Sequence, residues 1–189
     1  MPDGATITRI KPDDHAAFMS LAIEQALLDT SHSAPGKYRV GAVLINQDTG
    51  EIVSTGYALE LPGNMAEDVG STHAEQCCFM KVAQQHGLPI ARAETHIEDA
   101  LPKRTVIYTT MAPCHKRSVP GARTCCERMV ELKARLKTVY VGMAHLQENA
   151  ADKDAGRKQL EAEGIKVIDL EHMRDACYVA ATGESVHKA

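Results

Sequence analysis

The chain has 189 residues and a formal net charge of −4, from 21 Lys plus Arg against 25 Asp plus Glu. The apolar fraction of 44% is ordinary for a globular protein, and the length suits a single domain, 1–189, with a core of its own. An acidic balance with no Trp, two Phe and five Tyr does not provide the basic, aromatic-lined groove of single-stranded nucleic-acid binders, so no polynucleotide partner is expected. No apolar run reaches the roughly 18 residues of a membrane span, and Met1-Pro2-Asp3-Gly4 does not open a signal peptide. A cytoplasmic protein with no membrane partner is therefore expected. In that setting six cysteines point to metal binding or thiols rather than disulfides.

Residues 1–11 read as a loose terminus. Asp13 or Asp14 can cap a helix running to about Leu28, with Phe18, Leu21, Ala22, Gln25 and Leu28 at helical spacing. Ser31 to Lys37 is a turn punctuated by Pro35-Gly36. Tyr38 to Ile45 reads as a strand that is apolar on both faces, hence central in a sheet, and Glu51 to Tyr57 as its hairpin partner. A long loop from Ala58 to Thr72 leads to a helix from His73 to His86 that stops at Gly87. Ser71 or Thr72 can cap that helix, and Glu75 can close a capping box with Thr72. After a connector from Leu88 to Leu101, Thr105 to Thr110 is a third strand, which delivers Pro113-Cys114. Cys125 to Lys137 reads as a helix, Thr138 to Met143 as a strand, Asp152 to Glu163 as a helix and Ile165 to Ile168 as a fifth strand. Asp169 then caps a last helix that ends at Gly183. This order predicts an α/β fold: three α/β/α layers around a five-stranded mixed sheet.

Two stretches carry the chemistry. His73-Ala74-Glu75 and the later Cys114 and Cys125 offer one imidazole, two thiols and one carboxylate. A catalytic zinc takes three such protein ligands and keeps a fourth position for water. His-x-Glu followed by Pro-Cys and a further Cys is the pattern of zinc nucleobase deaminases, in which the Glu shuttles protons and does not bind the metal. His73, Cys114 and Cys125 are thus candidate zinc ligands, and Glu75 the candidate acid/base. The pattern ordinarily has two residues between its cysteines, whereas here His115 to Thr124 intervene. A closed structural site with Cys126 or His115 as fourth ligand, or a redox pair of cysteines, are the competing readings. Cys77, Cys78 and Cys177 fall on predicted helices and read as buried small apolar residues.

The residues Val40 to Leu44, Ser54 to Tyr57, Glu60-Leu61-Pro62-Gly63-Asn64, Thr72 to Cys77, Tyr108 to Met111, Cys125 to Arg128, Lys137 to Gly142 and Gly156-Arg157-Lys158 resemble the cytidine-deaminase-like superfamily. Within it they are similar to the fungal deaminases of the riboflavin pathway. The resemblance implies a zinc-dependent hydrolase that deaminates a small phosphorylated substrate, 2,5-diamino-6-(ribitylamino)pyrimidin-4-one 5′-phosphate, and that assembles as a homodimer. It also implies substrate contacts at Glu60, Asn64, Ala74, His115 and Arg117. Three departures lie close to the motif: Ala112 where the family has Glu, the loop starting His115-Lys116-Arg117, and the extra stretch Met65 to Ser71 between Asn64 and Thr72.

Overall fold

The computed structural model describes residues 10–31, 37–146, 152 and 154–185. The loose terminus expected over 1–11 and the Pro35-Gly36 turn lie almost wholly outside the described residues. Helix α1 (His15–Leu27) starts where Asp14 accepts the Ala17 N–H through its side chain. Its buried residues are Phe18, Met19, Ala22 and Ala26. Leu28, expected on that face, is the residue that ends the helix and is 55% exposed, because the helical register no longer holds it against the sheet.

Five strands form one mixed sheet in the order β2-β1-β3-β4-β5: β1 (Gly41–Asn46), β2 (Ile52–Tyr57), β3 (Thr105–Met111), β4 (Leu136–Met143) and β5 (Lys166–Asp169). The β1–β2 hairpin and the β1–β3 pair are antiparallel, and β3–β4 and β4–β5 are parallel. The continuous apolar run of β1 is buried from Gly41 through Ile45, as a strand with neighbours on both edges and helices on both faces requires. On one face α2 (Ala74–Gln85), α3 (Cys125–Glu131) and α4 (Ala155–Ala162) bury Cys78, Phe79, Met129 and Leu160 against Ala42, Leu44, Ile107 and Val139. On the other, α1 and α5 (Arg174–Thr182) bury Phe18, Met19, Cys177 and Ala181 against Val43, Val106 and Tyr108. These are the three layers expected from the order of elements.

Several elements differ from expectation in their bounds or content. The helix expected to run to Lys137 stops at Glu131, because Leu136 pairs with Thr105 and the Leu136 N–H bonds back to Leu132 O at 2.7 Å. Sheet pairing outweighs the helical propensity of that segment. Asp169 ends β5 and accepts from Arg157 Nη2 at 2.6 Å, so it is not a helix cap; one 3₁₀ turn, Glu171–Met173, precedes α5. The connector from Leu88 to Leu101 contains two 3₁₀ turns and sends Ala93, Glu94 and Ile97 into the interior. A loop of that length persists because it packs.

One glycine sets the seat of α2 on the sheet. A Cβ on Gly56 of β2 would lie 2.4 Å from the Ala74 carbonyl oxygen and 2.9 Å from the Cys78 nitrogen. Gly56→Ala must therefore push the first turn of α2 outward and is expected to destabilise the protein by about 1–3 kcal/mol, the usual cost of overpacking. Urea unfolding measures this, and an unchanged midpoint would show that α2 can move without loss.

Candidate active site

The site lies where the first turns of α2 and α3 meet the end of β3. His73, and not Ser71 or Thr72, is the N-cap of α2; its N–H donates to Gln76 Oε1 at 3.4 Å. Thr72 instead donates its hydroxyl to Leu61 O at 2.6 Å. The capping position expected of Glu75 is thus taken by Gln76, and Glu75 points inward, 3% exposed. Its Oε2 lies 3.3 Å from Cys125 Sγ and its Oε1 3.4 Å from Thr109 Oγ1.

Beyond β3 the Ala112 N–H bonds Met143 O, and the chain then turns away to bring in Cys114. Cys114 is not at a helix start. It lies in a loop, where the first turn of α3 serves it: Cys125 N–H points at Cys114 Sγ at 3.3 Å, and Cys126 N–H bonds Cys114 O at 3.1 Å. Thr124 caps α3 in a capping box with Glu127, which fixes Cys125 as the first helical residue.

His73, Cys114 and Cys125 offer ligand atoms within 4.8 Å of one another. His73 Nδ1 is 3.5 Å from Cys114 Sγ and 3.3 Å from Cys125 Sγ. Tetrahedral zinc with ordinary Zn–S and Zn–N bonds separates nitrogen from sulfur by about 3.5 Å, so the donor set fits zinc in kind and in spacing. Cys126 points away into the core, with its sulfur 3.5 Å from Pro113 O. His115 and Cys126 are not in the cluster, which leaves a three-ligand arrangement with an open side. All six cysteines are buried, and none forms a disulfide among the described residues.

Crowding two thiols and a carboxyl in a buried space splits their proton affinities. The neighbouring Cys125 side chain holds the Cys114 pKa down to about 3; burial opposes this, and His73 and the Cys125 N–H assist it. Cys125 is pushed the other way by Cys114 and by burial. Zinc takes cysteine as thiolate, so metal binding at this pair releases protons. Burial raises Glu75 above the ordinary carboxyl range, against the opposing influence of His73.

A cleft of about 440 Å³ opens over these groups. Ala74 lines it beside His73, Glu75 and Cys114. The other four expected contact residues, Glu60, Asn64, His115 and Arg117, are not among its lining residues. Glu60 is held by Lys81 at 2.6 Å, and Asn64, left-handed at φ 55°, closes its own loop by accepting from Gly70 N–H at 3.0 Å. His115 is half-buried, with its Cβ position near Gly156. Arg117 donates through Nη2 to Ser71 O at 2.6 Å, at the edge of the cleft. Sequence reasoning did not anticipate Tyr38, Leu59 and His145 in the lining. Leu59 was detectable in principle, since it adjoins the Glu60-to-Asn64 motif; the other two reach the cleft only through the fold. Also unanticipated is a buried ion cluster of Asp68, Glu94 and Arg128 behind the site.

Such a triangle with a buried carboxyl at its side, set between helix starts on a layered α/β sheet, is the arrangement that zinc-dependent nucleobase deaminases use. Residues 12–143 match the cytidine and deoxycytidylate deaminase zinc-binding region, and the chain belongs to that family. It is 30% identical over 176 residues to the diaminohydroxyphosphoribosylamino-pyrimidine deaminase of Schizosaccharomyces pombe, an alignment covering 93% of this chain and 37% of that relative. The chain thus spans little more than a third of that protein's length. Among solved structures, the Aspergillus oryzae Rib2 deaminase (C-terminal deletion mutant, pH 4.6) superposes with a TM-score of 0.71 at 26% identity, covering 92% of this chain and 93% of that one. The same enzyme in complex with DARIPP superposes with a TM-score of 0.69 at 27% identity, covering 93% of each chain. No helix among the described residues is long and apolar enough to cross a membrane.

Proposed function

We propose that this chain hydrolytically deaminates an aminopyrimidine, with 2,5-diamino-6-(ribitylamino)pyrimidin-4-one 5′-phosphate as the leading substrate, in the cytoplasm and as a homodimer of one-domain subunits. The observation that carries the reading is the His73–Cys114–Cys125 triangle with Glu75 buried against it and the cleft open above. The likeness to the A. oryzae enzyme that binds DARIPP supports the substrate.

His73, Cys114 and Cys125 would hold zinc, which supplies, when bound, a water activated near neutral pH. Glu75 would take one proton from an attacking water and deliver it to the ring nitrogen beside the amino-bearing carbon as the water oxygen bonds to that carbon, and would then carry that oxygen's second proton to the amine, which breaks its bond to the carbon. Its buried position suits this relay, because burial raises its proton affinity. Ala74 lies on the cleft wall next to Glu75, so in this reading a substrate ring would rest against it. Ammonia leaves, and a carbonyl replaces the C–NH₂ group. Ammonia release across a panel of aminopyrimidines, with and without ribityl phosphate, tests the proposal. No release from any of them would end it.

Phosphate recognition falls to Arg117 in this reading. Among the described residues only its Nη2 is engaged, so the rest of the guanidinium fork can meet a phosphate. Arg117→Ala is expected to weaken the phosphorylated substrate by about 1.5–3 kcal/mol, the scale of a charged hydrogen bond, and to spare the dephosphorylated compound. The comparison is of kcat/KM for the two compounds in wild type and variant. Equal losses would show that Arg117 acts through Ser71 alone.

A further inference from the structure

Behind the ligand triangle, Arg128 of α3 is 2% exposed and lies between two buried carboxylates, Asp68 at 3% and Glu94 at 1%. Arg128 Nη1 is 3.0 Å from Asp68 Oδ2 and 2.9 Å from each oxygen of Glu94, while Nη2 bonds Asp68 Oδ1. Asp68 Oδ2 also accepts from Gln76 Nε2 of α2 and from the Arg92 N–H, both at 3.1 Å. Arg123, from the stretch between the two ligand cysteines, approaches Glu94 at 3.6 Å. Burial raises the Asp68 pKa, but the bond and charge of Arg128, with the Arg92 and Gln76 donors, outweigh it and hold the group below its ordinary value. Asp68 is therefore ionised in the folded protein.

Position gives this cluster its meaning. Gln76 is three residues after His73, and Arg128 three after Cys125, so each is about one helical turn behind a ligand. Gln76 Oε1 accepts the His73 N–H while its Nε2 donates to Asp68. Asp68 comes from the stretch 65–71, which is a closed loop: Met65 and Asp68 exchange backbone bonds at 3.1 and 3.0 Å, and Asn64 and Gly70 close it below. A buried ion cluster is a poor source of net stability, since desolvation offsets most of the attraction. A forked guanidinium on two carboxylates is a good source of fixed geometry.

We propose that Asp68 and Arg128 are positioning residues for the metal site: the 65–71 loop is a brace that fixes the first turn of α2 against that of α3 and so sets the His73-to-Cys125 spacing. The inference rests on the zinc reading of the triangle. The brace is read out by how firmly the protein holds zinc, separately from turnover. Zinc transfer to a chromogenic chelator is followed for wild type, Asp68→Asn and Arg128→Lys. Phe18→Leu, in the core on the opposite face of the sheet, serves as a control, and each protein is measured at the same interval below its own Tm. Asp68→Asn preserves shape, and Arg128→Lys keeps the charge without the fork, so either variant suffices if the other fails to fold. Zinc release should be about 10-fold or more faster in both brace variants, the lower end of what outer partners of metal ligands contribute, and unchanged in Phe18→Leu. The visible absorption of cobalt-substituted protein should shift in the brace variants alone. Release rates and cobalt spectra matching those of Phe18→Leu would overturn the brace and leave the function intact. A wild-type protein that takes up no zinc would overturn the zinc reading itself and the brace with it.

Discussion

Glu75→Gln is expected to keep its fold and its zinc, about one per chain, and to lose 10²–10⁴-fold in kcat, the range that general acid/base groups contribute. The amide has the same size as the carboxyl and cannot carry a proton between water, ring nitrogen and leaving amine. Two features make the prediction sharp. Gln76 occupies the capping role that would otherwise explain a glutamate at this point, so the substitution removes no helix cap. The carboxyl sits 3.3 Å from Cys125 Sγ yet is not one of the three clustered ligands, so it is free to act on a water that a metal held there would activate. Elemental analysis of the purified variant and steady-state ammonia release are the two measurements. Turnover at the wild-type rate would reduce Glu75 to a buried carboxyl without chemistry.

What the sequence made readable follows from range. His73 with Glu75, and Pro113 with Cys114, are local patterns set by one helix start and one strand end, so a single chain displays them. The hairpin of β1 and β2 and the central place of β1 were readable too, because a run that is apolar at every position has to be covered on both faces. Asp68 and Glu94 were not readable. Each sits in a stretch whose composition says loop, and only the meeting of three distant segments on Arg128 shows that they are buried. Glu60 illustrates the converse. It falls within the motif that carries the resemblance, yet its carboxylate is bound to Lys81 of α2, a partner that no spacing rule pairs with a loop residue. The end of α3 was misplaced for the same reason: pairing of Leu136 with Thr105, far away in sequence, decides where the helix stops.

Cys125→Ser is expected to abolish stoichiometric zinc binding and with it detectable turnover, whereas Cys126→Ser should retain both. Adjacent positions on a helix point about 100° apart, so one sulfur can face the metal while the other cannot. Cys125 Sγ is 3.3 Å from His73 Nδ1, and Cys126 Sγ lies in the core against Pro113 O, near Met129 and Leu160. A serine hydroxyl at 125 stays protonated at neutral pH. It gives the metal neither the charge nor the soft donor of a thiolate, and it leaves only Cys114 and His73 as ligands. At 126 the same change places a hydroxyl in an apolar core, at a cost of about 1–3 kcal/mol that Pro113 O reduces by accepting a hydrogen bond from it. The two serines thus separate metal chemistry from packing: the first should lower zinc content with little change in the metal-free fold, and the second should lower the unfolding midpoint with zinc content unchanged. Zinc-to-protein ratio and urea midpoint, measured on both variants, decide it. Zinc lost from Cys126→Ser and kept by Cys125→Ser would move the ligand one position along α3 and turn that helix by a residue relative to the site.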